Sequence, residues 1–247
     1  STGGAIRIKT NRADLDHFDA NVGMTVSTTE NGENNNTVTS MVNIPLQSIN
    51  GALRIAARFD DQGGFIDDIR PDTNDVFANE DNLIKDINDV RSDSIRATFV
   101  IQPTDLLTLT SSVFYQDQHA DQQRPTVDLT FSESAEVRKV HKYMDTFTDD
   151  ETAIYSFEAQ LDLSDSWGVS IVSATSYMDR EVNGVFDLSP FSNGGIEHDF
   201  PKPAPNEDKR FAVGLYNFSD ITQFTQEIRA VSTDKGPLDY VIGGFYK

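Results

Sequence analysis

The chain has 247 residues, contains no cysteine and carries a formal net charge of −20. Without cysteine there is no disulfide framework, thiolate metal site or cysteine nucleophile, and the acidic balance argues against nucleic acid, whose phosphates attract Lys and Arg. Because no apolar run reaches about 18 residues, the sequence offers no membrane-spanning helix, although a membrane-spanning β-barrel needs none.

Strands are predicted wherever apolar and polar residues alternate with a period of two. The clearest case is a hairpin, in which Tyr155, Phe157 and Leu161 alternate with polar residues before a turn at 164–166. The alternation resumes after that turn, from Trp167 to Tyr177. In chain order the pattern predicts nine strands, at 18–26, 38–44, 53–59, 95–101, 107–115, 155–163, 167–177, 224–231 and 240–246.

The connections between these predicted strands alternate in length. Brief turns separate the strands of each hairpin, whereas long polar segments cover 62–93, 119–150 and 181–220. Up-and-down membrane barrels have short periplasmic turns and long outer loops, so we expect these three segments to lie outside and to contact ligand. The expected fold is all-β, as part of a transmembrane antiparallel up-and-down β-barrel.

The same alternation also occurs in soluble proteins. In a soluble sandwich one face of each strand packs on the core and the other meets water. The alternative is therefore a soluble or surface-attached all-β module for ligand binding or adhesion, with long loops as its binding surface. Long structureless loops are unusual inside a compact soluble domain, which favours the barrel.

Each strand of a barrel wall presents its apolar residues to lipid and its polar residues to the lumen. We expect lipid contact for Phe99, Leu107, Leu109, Tyr155, Phe157, Leu161, Trp167, Val169, Ile171 and Tyr177. Charged residues persist within a membrane span where they face water or a partner. We expect a position on the lumen face for Arg54, Arg58, Arg96, Glu158, Glu227 and Arg229.

No pattern for catalysis or for a cofactor is present, so we expect neither an enzyme nor a bound cofactor. The histidines are isolated, without the spacing of a metal site, and the sequence has no nucleophile elbow, phosphate loop or dinucleotide fingerprint. Carboxylates near Gly63-Gly64 offer the hard oxygen ligands that calcium prefers. The sequence leaves open a calcium site at Asp60, Asp61, Asp67 and Asp68.

Several segments resemble a known family. The run Gly3-Gly4-Ala5-Ile6-Arg7-Ile8-Lys9-Thr10 is similar to the end of the plug domain of TonB-dependent outer-membrane receptors, just before their first barrel strand. Recurrent barrel segments of that family are similar to Gly63-Gly64-Phe65-Ile66-Asp67, Phe224-Thr225-Gln226-Glu227-Ile228-Arg229 and Gly243-Gly244-Phe245-Tyr246. The order of these short motifs carries the resemblance over nearly the whole chain.

The resemblance implies a fragment of a barrel of about 22 strands, closed by an N-terminal plug. Residues 1–12 would be the C-terminal end of the plug, and residues 13–247 the N-terminal part of the barrel. The implied function is uptake of a scarce small ligand, most often a ferric siderophore, across a Gram-negative outer membrane. Energy would come from the TonB-ExbB-ExbD system. A passive porin is a further alternative, because it needs no plug.

Overall fold

A computed structural model describes residues 10–71, 78–121, 139–140, 142, 144–189, 213–233 and 238–247. Period-two alternation, with many β-branched and aromatic residues, produces extended strands through most of this part of the chain. The strands are, in chain order, β1 (Asp19–Thr28), β2 (Asn34–Leu46), β3 (Gly51–Gln62), β4 (Asp67–Pro71), β5 (Ala78–Ile84), β6 (Val90–Thr104), β7 (Leu107–Asp121), β8 (Lys139–Val140), β9 (Phe147–Leu163), β10 (Val169–Asp187), β11 (Gly214–Ser232) and β12 (Val241–Tyr246).

Nine of these strands form one antiparallel sheet, in the order β1-β2-β3-β6-β7-β9-β10-β11-β12. Each strand of the sheet pairs with the next member of this set along the chain. The prediction of an all-β fold with nine antiparallel strands is confirmed. The sheet is open, and β1 and β12 are its edges.

The connections at the two ends of this sheet differ in length. At one end, which we call the short-loop end, paired strands are joined by 47–50, 105–106, 164–168 and 233–240. The opposite, long-loop end carries the connections 29–33, 63–89, 122–146 and 188–213, of which the first is brief. An up-and-down order with paired neighbours places alternate connections at the same end of the sheet.

The segment 62–93 is not the structureless loop that its composition predicts. Within it, β4 pairs antiparallel with β5 and parallel with β8, which gives a second sheet of three strands. The buried Asp68 carboxylate on β4 accepts the backbone N–H of Lys142, two residues after β8, at 2.9 Å. Polar strands of this kind lack the apolar alternation on which sequence prediction depends. The sequence also allows a short helix at 132–143, inside the predicted loop 119–150; most of these residues lie outside the described part of the chain, and Lys139–Val140 form β8.

Strands of the main sheet also extend further toward the long-loop end than predicted. Residues 119–121 and 147–150 belong to β7 and β9, and residues 181–187 and 214–220 belong to β10 and β11. Apolar and polar residues are mixed on both faces of these extensions, so the period of two disappears although backbone pairing continues. The prediction of loops at 119–150 and 181–220 is therefore wrong at both ends of each segment, where the residues belong to strands.

The described helices are short. The turn between β9 and β10 is α1 (Ser164–Trp167), and it ends at Gly168, whose φ of 67° favours glycine. Trp167 therefore belongs to this turn and not to the predicted strand, and it is 78% exposed. Among the described residues, no helix is long and apolar enough to cross a membrane.

Candidate functional site

The pairing register divides the residues of the main sheet into two sets. Directly paired residues point to the same face, and Tyr155 pairs with Tyr177 while Leu161 pairs with Ile171. Followed across the sheet, the register places every predicted lipid-facing residue except Trp167 on one face, which we call the apolar face. All the predicted lumen residues lie on the opposite face, which we call the polar face.

The apolar face is the more exposed of the two. Along β7, its side chains from Ser111 to His119 are exposed, and the polar-face side chains between them are half-buried. On β9, Tyr155 and Phe157 are 50% and 47% exposed. The substantial contacts between described elements all join paired strands, or a strand and a turn at the end of the same or a neighbouring strand, so no second layer covers this face there. This reverses the arrangement of a soluble sandwich, in which apolar residues are covered.

Charged residues on the apolar face lie toward the long-loop end. On β10 the stretch from Val169 to Tyr177 holds none on this face, and Asp179 is the first. The uncharged stretch extends about 26 Å along the strand, or about 20 Å in height at a tilt near 40°. Beyond it, carboxylates cross five neighbouring strands in register: Asp93, Asp117, Glu151, Glu181 and Asp220.

Aromatic side chains lie next to this carboxylate row, on the side of the uncharged stretch. The rings of Tyr155 and Tyr177 are 6.5 Å apart between centroids, and Phe224 is the register partner of Tyr177. The ring of Phe224 in turn lies near that of Tyr246, with 6.3 Å between centroids. Tyrosine rings suit a boundary between apolar and aqueous surroundings, because the ring is apolar and the hydroxyl is polar.

Residues 10–17 cross the polar face before β1 begins. Arg12 Nη2 lies 3.5 Å from Glu158 Oε1, on β9. Further along the segment, Ala13 is buried in a small apolar cluster with Ala52 of β3 and Val100 of β6. Leu15 packs against this cluster. The segment therefore runs from β9 toward β2 over the polar side chains.

Asn43 on β2 holds the far end of this segment. Its Nδ2 donates to the carbonyl oxygens of Asp14 and His17, at 2.9 and 2.7 Å. Its Oδ1 accepts the backbone N–H of Asp14 at 2.9 Å. Asn43 is fully buried, so these bonds satisfy polar groups that water does not reach.

Three arginines on β3 and β6 form a basic cluster on the polar face. Arg96 lies opposite the gap between Arg54 and Arg58, and the three line one cavity of about 470 Å³. Arg96 donates to Thr10 Oγ1 at 3.2 Å, and its guanidinium carbon lies 5.0 Å from the ring centroid of Phe114. These two contacts orient the Arg96 guanidinium between the sheet and residues 10–17.

Other arginines on the polar face have carboxylate partners. Arg229 Nη1 lies 2.9 Å from Glu227 Oε1. Arg180 forms an ion pair with Asp150 near the long-loop end, and this pair lowers the pKa of the Asp150 carboxyl. The polar face thus has a sector of paired charges around β9–β11 and a basic sector on β3 and β6.

His119 lies on the apolar face beyond the carboxylate row. Its Nδ1 is 2.5 Å from Asp149 Oδ1, and its Nε2 is 3.3 Å from Asp121 Oδ1. The hydrogen bond to Asp149 raises the pKa of His119. Its ring stacks on Phe147 with 6.0 Å between centroids.

The predicted calcium ligands do not converge. Asp60 and Asp61 are consecutive strand residues and point to opposite faces of β3. The side chain of Asp60 accepts a hydrogen bond from Gln62 at 2.9 Å, and Asp67 accepts the backbone N–H of Asp86 at 3.3 Å. Within the described part of the chain, carboxylate and imidazole atoms come together as a possible ligand group at Asp14, Asp16 and His17, all exposed.

Two polar-face residues were not singled out by the sequence. Asn43 stands at an ordinary polar position of an alternating strand, and its burial depends on residues 10–17 from another part of the chain. Phe114 is aromatic at a position where the alternation calls for a polar residue. That break in the alternation could have identified Phe114 as a candidate site residue from the sequence alone.

No protein-family model, curated protein or solved structure matches the chain. The chemistry of the two faces is therefore the basis for a functional proposal.

Proposed function

We propose that the chain is part of the wall of a transmembrane β-barrel in a Gram-negative outer membrane, with the apolar face against lipid. The observation that carries this proposal is that apolar side chains occupy the more exposed face of the sheet. In water, such a surface across nine strands would be a large exposed apolar patch. Its uncharged height of about 20 Å approaches the apolar band of about 25 Å in outer-membrane barrels.

In this proposal the edges of the sheet pair with further strands. Backbone N–H and C=O groups left unpaired in hydrocarbon are costly, so a membrane wall must close. The resemblance to TonB-dependent receptors implies about 22 strands in the whole barrel. The strands beyond β1 and β12 would complete that wall.

The parent protein, in our proposal, is a TonB-dependent receptor that imports a scarce small ligand. The position of residues 10–17 on the polar face supports a plug, because a chain that leaves a plug must pass along the lumen to enter the first strand. TonB-ExbB-ExbD would supply the energy. Ferric siderophores are the first ligand class to test, because the family resemblance implies them.

The alternatives fit particular observations less well. A soluble or surface-attached all-β module needs a second layer over the apolar face, and the described residues supply none. A passive porin accounts for the two faces but gives no reason for residues 10–17 to be fixed across the polar face by buried Asn43.

Growth measurements test the import function. A strain that lacks the full-length gene is grown on limiting ferric siderophores and other scarce nutrients, with and without TonB. We expect growth on at least one of these sources to require both the gene and TonB. Uptake that persists undiminished without TonB would contradict active import and favour a passive porin. A full-length protein that is soluble without detergent would contradict the membrane wall and favour the soluble module.

A further inference from the structure

We propose that the basic cluster of Arg54, Arg58 and Arg96 is a binding site for a small molecule with two or more carboxylates. The three side chains share one cavity of about 470 Å³, and small-ligand sites commonly measure about 300 to 1,000 Å³. This concentration of positive charge lies in a chain whose net charge is −20.

The charge of the cluster is not balanced by its surroundings. Among the described residues its one carboxylate partner is Asp60, at 3.1 Å from Arg58, and neither Arg54 nor Arg96 forms an ion pair. The register neighbours of the cluster on β2, β6 and β7 are uncharged: Thr39, Asn43, Ser94, Thr98 and Phe114. Like charges at neighbouring strand positions repel each other, so an anion bound between them relieves that repulsion.

The spacing of the arginines favours an anion with separated carboxylates. Arg54 and Arg58 are four positions apart on β3, which corresponds to about 13 Å between their Cα atoms. Arg96 lies between them on the next strand. Each guanidinium fork can bind one carboxylate through two parallel hydrogen bonds. A ligand with several carboxylates can engage more than one fork, whereas a single carboxylate engages one.

Two neighbours hold the Arg96 guanidinium group in place for anion binding. Phe114 lies under its guanidinium group, and a cation above an aromatic face is stabilised while its edge stays free to donate. Thr10 accepts one of its N–H groups at 3.2 Å. An arginine held in this way loses less side-chain entropy when it binds an anion.

This inference goes beyond import and does not depend on lipid at the other face. In the proposed barrel, the cavity would lie on the lumen side, between the wall and the segment that begins at Thr10 and Asn11. In a soluble protein, the same cavity would face water. Growth without TonB therefore bears on import alone, and anion binding bears on this site alone.

Calorimetric titration of the purified full-length protein with glutarate tests the proposal. Glutaramide is the matched control, because it keeps the carbon skeleton and one carbonyl acceptor at each end but replaces both carboxylates with uncharged amides. Acetate is the control for a single carboxylate. We expect saturable binding of glutarate, weaker binding of acetate and none of glutaramide.

Variants then locate the site. Arg54→Gln and Arg96→Gln should each weaken glutarate binding by about tenfold or more, as expected for loss of a hydrogen bond to a charged group. Arg229→Gln is the matched control on the same face, because Arg229 already pairs with Glu227. It should change glutarate binding by less than about twofold. Arg96→Lys, which keeps the charge but loses the fork, should give an intermediate affinity.

Three results would overturn the proposal. The wild-type protein could show no saturable glutarate binding, which needs no variant to interpret. Glutaramide could bind as tightly as glutarate, which would remove the role of charge. Arg229→Gln could weaken binding as much as Arg96→Gln, which would place the anion elsewhere on the polar face.

Discussion

The apolar and polar faces of the main sheet satisfy their side chains in different ways. On the polar face, hydroxyl groups bond across neighbouring strands, as Ser112 does with Ser156 and Ser176 with Thr225, each at 2.6 Å. On the apolar face, rings such as that of Phe157 remain about half exposed, at 47%. The difference indicates two different surroundings, which in our proposal are water on the polar face and lipid on the apolar face.

A charge placed on each face in turn should reveal the largest difference between the two faces. Leu109 pairs with Ile101 and Ala159 inside the uncharged stretch, and its neighbour Thr110 pairs with Glu158 on the polar face. In lipid vesicles, Leu109→Arg should lower the free energy of unfolding by about 2–4 kcal/mol, and Thr110→Arg by less than about 1 kcal/mol. Equal losses measured by denaturant titration would contradict the two-face account.

Removal of the bonds of Asn43 tests how the polar face holds residues 10–17. Asn43→Ala leaves buried partners unsatisfied, so we expect a loss of about 1–3 kcal/mol in the free energy of unfolding. Cleavage by protease within 10–17 should become faster. Asn21→Ala, at an exposed polar-face position of β1, is the control and should change neither quantity. The same result for both variants would show that the segment is not held by Asn43.

The aromatic pair below the carboxylate row gives a finer test of the apolar face. Tyr155 and Tyr177 are directly paired, so a double-mutant cycle with leucine should give a coupling of about 0.5–1.5 kcal/mol. A cycle between Tyr177 and Phe59, which lies several strands away, should give less than about 0.5 kcal/mol. If both cycles give the same coupling, the rings do not act as a paired contact.

The smallest expected effect is a pH dependence at His119. Its pKa is raised by Asp149, so the stabilisation is complete below the unfolded pKa of about 6.5 and is lost as pH rises through the folded pKa. Charged neighbours are Arg91 on β6, Asp117 and Asp121 on β7, and Asp149 on β9. Between pH 6 and pH 8, stability should fall less in His119→Gln and in Asp149→Asn than in the wild type. Parallel pH profiles would exclude this contribution.

The sequence was sufficient for the central part of the fold. Inside the uncharged stretch, one face of each strand is apolar, so the period of two located the strands and assigned Phe99 and Arg96 to opposite faces. The signal failed where both faces are polar, which is why 62–93 was predicted as a loop although it contains β4 and β5. Trp167 was placed in a strand because it continues the alternation, whereas local bonding closes a helical turn there.

The candidate sites were less predictable because they depend on contacts between distant parts of the chain. Arg54 and Arg96 are separate charges in the sequence, and the register of β3 with β6 brings them to one cavity. The buried position of Asn43 depends in the same way on residues 10–17. Strand alternation predicts the face on which a residue lies, but it does not predict the residue's neighbours across the sheet.

The central claim is that lipid contacts the apolar face, and a spin-label scan along β7 tests it most directly. These 247 residues contain no cysteine. After replacement of any cysteine elsewhere in the full-length protein, single cysteines are introduced and labelled at each position of 109–116, and the protein is placed in lipid vesicles. We predict that accessibility to oxygen peaks at Leu109, Ser111, Val113 and Tyr115, and that accessibility to a water-soluble nickel reagent peaks at the positions between them. Uniform accessibility, or the opposite alternation, would contradict the account.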